Sequence, residues 1–308
     1  MPPKPPLPLY LTGPTGSGKS AAALLLAEAT GGEILCADAY QVYQSIPVLT
    51  AQPTAADQAR VPHHLYGTVP VSGEMDAGRF EKTALAAIAE VQSRGKLPIV
   101  CGGSGLYIKA LTHGLSPLPP GDPELRRELE QLSPGTLASR LMALDPGSAS
   151  QLNLQNPRHV TRALEICLLT GQPASELKQS WAMPRSGVRG VFLDLPREIL
   201  YERINARTQG MVAAGVIPEV AALDEDELSA TASKAIGLWD FRAVADEATS
   251  LQEAVASVQQ TTRNYAKRQH TWFKRETAFV NIPVSPLDSA PEIAEKIRRI
   301  FGLKKQSA

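Results

Sequence analysis

Residues 13–20 read GPTGSGKS, the spacing G-x-x-x-x-G-K-S/T without a mismatch. A loop of this kind holds a diphosphate. Gly13, Gly16 and Gly18 let the backbone turn tightly and aim N–H groups inward, and Pro14, Thr15 and Ser17 complete the loop around the anion. Lys19 would reach the outer phosphate, and the Ser20 hydroxyl would ligate Mg2+. The loop alone does not say whether the diphosphate belongs to a nucleotide. Asp38 closes the next apolar run, EILCAD, with two roles open to it. It could hold Mg2+, as carboxylates beside such loops do, or it could act as a general base. A third feature is TTRNYAKRQHTWFKR at 261–275, which carries five Lys/Arg and no acid. On a helix, Arg263, Lys267, His270 and Lys274 fall near one face, with Tyr265 and Trp272 opposite. That pattern suits a polyanion such as RNA, with the rings packed on the core; it equally suits a solvated amphipathic helix. His63 and His64 lack further ligands at metal spacing and read as a loop pair.

The elements that must position these residues follow from periodicity. PLPLYLT is a short apolar run ahead of the loop, read as a buried strand, and SAAALLLAEAT after it reads as a helix ending at Gly31-Gly32. EILCAD (33–38) gives a second strand. Residues 79–94 are helical, with Phe80, Leu85, Ile88 and Val91 near one face and Gly95 as the cap. LPIVCGGSG supplies a third strand and a second glycine turn, followed by the helical LYIKALTHG. This alternation predicts an α/β fold: a parallel sheet of the P-loop NTPase-like kind, whose ligands gather at the carboxyl ends of the strands. From 118 to 187 the pattern is helical, with turns at SPG (133–135) and DPG (145–147) and no strand. The strand signal returns at VRGVFLDL (188–195), and long helices follow from 197 and across 251–275. The expected organisation is a catalytic core of 1–117 and 188–308, interrupted by a helical insertion domain of 118–187. DEDE (224–227) reads as a solvated acidic turn and KKQSA as a frayed tail.

Bulk properties narrow the classes. The chain has 308 residues, with 31 basic against 31 acidic, so it is not coated in basic charge, although local patches remain open. Cys36, Cys101 and Cys167 are far apart and read as small buried hydrophobes, reduced as in a cytosol. No apolar run is long enough for a membrane span, and MPPKPPLPLY is no signal peptide. A cytoplasmic protein is expected.

Taken together, the motifs resemble those of the tRNA dimethylallyltransferases (isopentenyl-tRNA transferases), bacterial type. The resemblance is carried by GPTGSGKS, by Ala37-Asp38-Ala39-Tyr40-Gln41-Val42-Tyr43, by PHHL (62–65), GGSGLYIKAL (102–111) and LSPLPPGDPELR (115–126). RALE (162–165), RTQGMVAAGVIPEV (207–220), AIG (235–237) and YAKRQHTWF (265–273) complete it, in order, over nearly the whole chain. It implies that the loop holds dimethylallyl diphosphate and that Mg2+ is the cofactor. The activity implied is prenyl transfer to N6 of the adenine at tRNA position 37, 3′ of the anticodon. Catalytic roles fall on Asp38 as base, on Ser104 and on Arg207. The tRNA-contacting positions are Asp38, Ala39, Tyr40 and Gln41 for the extruded base, then Arg126, and Arg158, His159, Val160, Thr161 and Arg162. Lys234, Gly237 and Trp239 follow, with Arg263, Lys267 and Arg268 on the basic helix. The insertion matches a mobile domain that closes on the anticodon stem-loop. A monomer is expected. Departures from the family pattern are Ala39 for serine, Pro47 for an acid, Gln52 for lysine, and Asn156 and His159 for an acid–arginine pair. Each missing phosphate partner should weaken binding and lower its salt dependence by about one ion. A P-loop kinase and a tRNA-binding protein without catalysis are the competing readings.

Overall fold

The computed structural model describes residues 5–115, 118–179 and 183–306. They divide into two compact units, Met1–Leu111 with Ser186–Ala308, and Thr112–Arg185. The first unit is built on a six-stranded sheet. Its strands are β1 (Leu9–Thr12), β2 (Glu33–Cys36), β3 (His63–His64), β4 (Pro98–Gly102), β5 (Arg189–Asp194) and β6 (Phe279–Pro283). They lie in the order β3-β2-β4-β1-β5-β6, and every pairing is parallel. The fold is α/β with the topology of a P-loop core. All residues of β1, β2 and β4 are buried, as a sheet covered on both faces requires. The two edge strands, β3 and β6, were not expected. His63 and His64 pair with Ile34 and Leu35 rather than forming a loop.

Helix Lys19–Thr30 buries Ala22, Ala23, Leu26 and Ala27 on one face of the sheet, beside Ile293, Ala294 and Ile297 of helix Ala290–Ile300. Gly31, at φ +63°, ends it in the left-handed conformation that a side chain resists. Helix Ala77–Ser93 covers the other face with Phe80, Ala84, Ile88 and Val91; Leu85, expected on that stripe, is 39% exposed. Helices Arg197–Ala213 and Leu251–Phe273 run as expected. The final segment is not frayed throughout: Gln306 N–H donates to Ala29 O at 2.8 Å.

The second unit holds five helices among its described residues: Pro123–Glu130, Pro134–Leu144, Pro146–Gln151, Pro157–Thr170 and Ala174–Gln179. Four of them begin on proline, whose missing N–H costs nothing in a first turn. Asp122, Ser133 and Asp145 cap three of these starts. Its core is Leu129, Leu137, Leu141, Val160, Ala163, Leu164 and Ile166. Arg185 N–H donates to Thr112 O at 2.7 Å and closes the unit's two ends. The unit starts at Thr112, inside helix Gly105–His113, rather than at 118 where the proline-rich texture begins.

Candidate active site

The loop at the end of β1 turns through a Ser17 N–H to Pro14 O bond of 3.1 Å. Gly16 and Gly18 both stand at φ +83°, which glycine adopts without strain. At Gly13 a Cβ would sit 2.7 Å from Ser17 Oγ. The Ser17 hydroxyl is buried with no hydrogen-bond partner among the described residues. Lys19 Nζ donates to Pro14 O at 3.3 Å, so its ammonium lies over the loop it serves.

The second glycine turn, after β4, is packed too tightly for side chains. A Cβ on Gly102 would lie 2.0 Å from Ala37 O, and one on Gly103 2.3 Å from Gln269 Nε2. Ser104 N–H donates to Ala37 O at 3.3 Å, and Ser104 Oγ accepts from Ala39 N–H at 2.8 Å. This turn therefore fixes the segment that carries Asp38. Asp38 N–H points to Cys36 Sγ, and its carboxylate accepts from Tyr40 N–H at 3.0 Å. Tyr265 lines the same cleft, and burial pushes its phenol up in pKa.

These pieces meet in a cleft of ≈ 90 Å³ whose lining includes Thr15, Lys19, Ser20, Asp38, Arg207 and Tyr265. Burial lowers the pKa of Lys19, and the Asp38 carboxylate pulls it back in part; the same opposition acts on Arg207. Arg207 Nη1 donates to Thr15 Oγ1 at 3.0 Å and Nη2 to Thr50 O at 3.1 Å. Two cations thus face the loop where a diphosphate would sit, with a carboxylate beside them. Ser20 is exposed at the cleft. Among the described residues no cluster of three His, Cys, Asp or Glu could hold a metal by itself. The donor set fits Mg2+ in the way phosphate-bound magnesium is usually held, with one hydroxyl plus phosphate oxygens and water.

The other sequence candidates separate by exposure. Lys267 and Arg268 are exposed, and the Arg268 guanidinium lies 5.6 Å from the centre of the Tyr265 ring. Of the expected basic face, Lys274 is exposed as well, whereas Arg263 and His270 are engaged. Arg263 donates to Asn205 Oδ1 at 2.8 Å and lies over Tyr201, while His270 meets Asp194 at 2.9 Å. The rings do not back the helix as expected: Tyr265 lines the cleft and Trp272 is 38% exposed, because Ala266, Gln269 and Phe273 take the inner face. Arg158, His159 and Lys234 are exposed, as is Trp239, whose indole N–H reaches Ser233 O at 2.7 Å. Arg126 and Arg162 both pair with the buried Glu165. Val160 and Thr161 are core residues of their unit, so their side chains are closed to a ligand. Gly237 is buried at φ +90° against Leu49, Val258 and Phe241 and serves packing. Gln41 donates to Thr50 O and Ala51 O, and Gln52 donates to Tyr43 O at 2.7 Å.

Sequence reasoning missed Gln269 and Glu219. Gln269 Oε1 accepts from Thr15 N–H at 2.8 Å while Nε2 donates to Gly103 O at 2.9 Å. Its one signal was an uncharged amide inside the basic run.

The fold and this cleft define a protein with a P-loop NTPase-like core that sets a carboxylate and two half-buried cations around a glycine-rich loop. Residues 41–276 match the family model described as IPP transferase. The tRNA dimethylallyltransferase of Akkermansia muciniphila is 43% identical over 295 residues, 96% of this chain and 99% of that one. That of Geobacter metallireducens is 42% identical over 281 residues, 88% of this chain and 91% of the other. The crystal structure of the full-length tRNA isopentenylpyrophosphate transferase of Bacillus halodurans superposes with a TM-score of 0.69. It is 31% identical, covering 96% of this chain and 95% of its own. The chain belongs to the IPP transferase family.

Proposed function

We propose that the protein is a tRNA dimethylallyltransferase: it moves the five-carbon group of dimethylallyl diphosphate to N6 of adenine 37, next to the anticodon, and releases diphosphate. The names of its relatives support the activity, and one observation carries the chemistry. Asp38 shares a cleft with Lys19, Arg207 and the glycine loop.

An aromatic exocyclic amine is a poor nucleophile. Asp38 would take the N6 proton as the new carbon–nitrogen bond forms. The carbon–oxygen bond to the diphosphate breaks, and charge grows on the bridging oxygen. Loop amides, Lys19 and Arg207 would meet that charge more strongly than they meet the bound substrate, which is how a site lowers a barrier. Mg2+, held by Ser20 and phosphate oxygens, would offset the charge of the diphosphate. Ser104 holds the Asp38 segment in place. The adenine must leave its stack to enter, and Tyr40 and Gln41 line its way. Lys267 and Arg268 would take backbone phosphates, with Arg158, His159 and Lys234 as further exposed contacts. The helical unit would close on the anticodon stem-loop. Among the described residues no helix is long and apolar enough to cross a membrane; we place the enzyme in the cytoplasm as a monomer.

The test is a product assay. The protein, Mg2+, dimethylallyl diphosphate and unmodified tRNA are incubated without ATP, and nucleosides are read by mass spectrometry. N6-prenyladenosine is expected. Its absence, with phosphoryl transfer from added ATP instead, would make the protein a kinase.

A further inference from the structure

The Thr50 carbonyl is a junction. It accepts from Arg207 Nη2 at 3.1 Å and from Gln41 Nε2 at 2.9 Å, and Gln41 also reaches Ala51 O at 2.8 Å. Thr50 ends a helix of one turn, Pro47–Thr50, and Ala51 follows at φ +50°. A single turn does not hold itself, because its nucleation cost is repaid by too few bonds. Its N-cap residue, Ile46, makes no side-chain bond, and Pro47 has no N–H to satisfy. The next two donors, Val48 N–H and Leu49 N–H, both go to Glu219, at 2.8 Å on Oε2 and 2.7 Å on Oε1. Glu219 stands on helix Val216–Ala221, whose Val216 and Val220 share a core with Leu49.

We infer that Glu219 is a positioning residue: it caps the one-turn helix from a separate element and so fixes the carbonyl that seats both Arg207 and Gln41. This rests on the prenyl transfer proposed above. The carboxylate supplies two acceptors where the local chain supplies none, and its charge complements the helix start. Pro47 suits the arrangement, since an N–H at that position would need a partner that Glu219 does not have to spare. Without the cap, the turn keeps the Thr50 and Gln52 bonds to Ile46 O and Pro47 O but its start is released, and Thr50 O shifts. Arg207 then loses one of its two anchors while keeping its bond to Thr15.

The test compares kcat and both KM values for wild type, Glu219→Ala, Glu219→Gln, Arg207→Ala and the double variant Glu219→Ala/Arg207→Ala. Misplacing a group that acts in the transition state lowers kcat, so Glu219→Ala should lose about tenfold or more with each KM within about threefold. Glu219→Gln, with one acceptor oxygen left, should fall between it and wild type. The double variant should lose less than the product of the two single losses, because Glu219 acts in part through that arginine and in part through Gln41. Effects that multiply would overturn the inference. Should Glu219→Ala fail to fold, Glu219→Gln decides, and a wild-type kcat there would overturn it. A wild-type protein that transfers no prenyl group would remove the underlying reading; normal transfer with an unaffected Glu219→Gln removes only this inference.

Discussion

The Gln269 amide joins the two glycine turns: Oε1 lies 2.8 Å from Thr15 N and Nε2 lies 2.9 Å from Gly103 O. It is 4% exposed, so neither bond has water as a substitute. The loop that would hold the diphosphate and the turn that braces Asp38 are thereby one rigid piece. Replacing Gln269 with methionine keeps the volume and strands both backbone groups. An orphaned buried donor or acceptor costs about 1–3 kcal/mol, so thermal unfolding should shift downward by that order. The KM for the prenyl diphosphate should rise more than the KM for tRNA, since the donor ring around the loop loses its register. An unchanged melting curve would mean that the bridge carries nothing.

Lys19 lies over the loop, with burial weakening its hold on the proton and Asp38 strengthening it. Lys19→Ala should raise the requirement for dimethylallyl diphosphate far more than that for tRNA. Steady-state kinetics with each substrate varied in turn would show this. Equal effects on both would contradict the placement of the diphosphate.

The long helix splits its cations into free and engaged ones. Reversing charge at Lys267 and Arg268 should weaken RNA binding at moderate salt and flatten the salt dependence by about one ion for each phosphate no longer met. Arg263→Ala should flatten it less, because Arg263 is already spent on Asn205, Gln260 and the Tyr201 ring. A salt titration of binding separates the two. Equal slopes for all variants would make the whole helix a solvated face.

Asp145 holds two starts together in the helical unit. Its carboxylate accepts from Ser148 N–H at 2.9 Å, Ser175 N–H at 2.8 Å and Ser175 Oγ at 2.5 Å. Burial alone would raise its pKa, but these bonds to the charged form prevail and hold it at about 2, against 3.8 unperturbed. The folded value is the lower one. The stabilisation is therefore complete above the unfolded pKa and disappears as pH falls through the folded one. Stability measured by denaturant should fall from near pH 4 toward pH 2, and Asp145→Asn should be less stable at neutral pH and flatter across that window.

Much of this was legible in the sequence, for reasons that differ by element. β1, β2, β4 and β5 are buried on both faces, so their apolar runs are continuous and visible. The edge strands are not: β3 is only His63–His64, and β6 has Val280 and Asn281 facing outward. Periodicity has nothing to register in two residues or in a strand half in solvent. The loop, Asp38 and Arg207 could be singled out because they are marked by residue types at fixed spacing, and the structure brings them to one cleft. Gln269 and Glu219 could not, because their value lies in backbone groups far away in the chain. Val160, Thr161 and Gly237 show the opposite limit. They sit inside matching motifs, yet their burial gives them packing roles.

The central claim is that Asp38 takes a proton while Lys19 and Arg207 take the charge of the leaving diphosphate. The most direct measurement is single-turnover transfer with wild type and Asp38→Asn, at saturating tRNA and dimethylallyl diphosphate, with tRNA binding measured on the same preparations. The substituted amide is isosteric with the carboxylate and keeps an acceptor for Tyr40 N–H. Binding should survive within a few-fold while N6-prenyladenosine falls by about 100-fold or more, the scale of a lost general base. Transfer at the wild-type rate by Asp38→Asn would contradict the assignment.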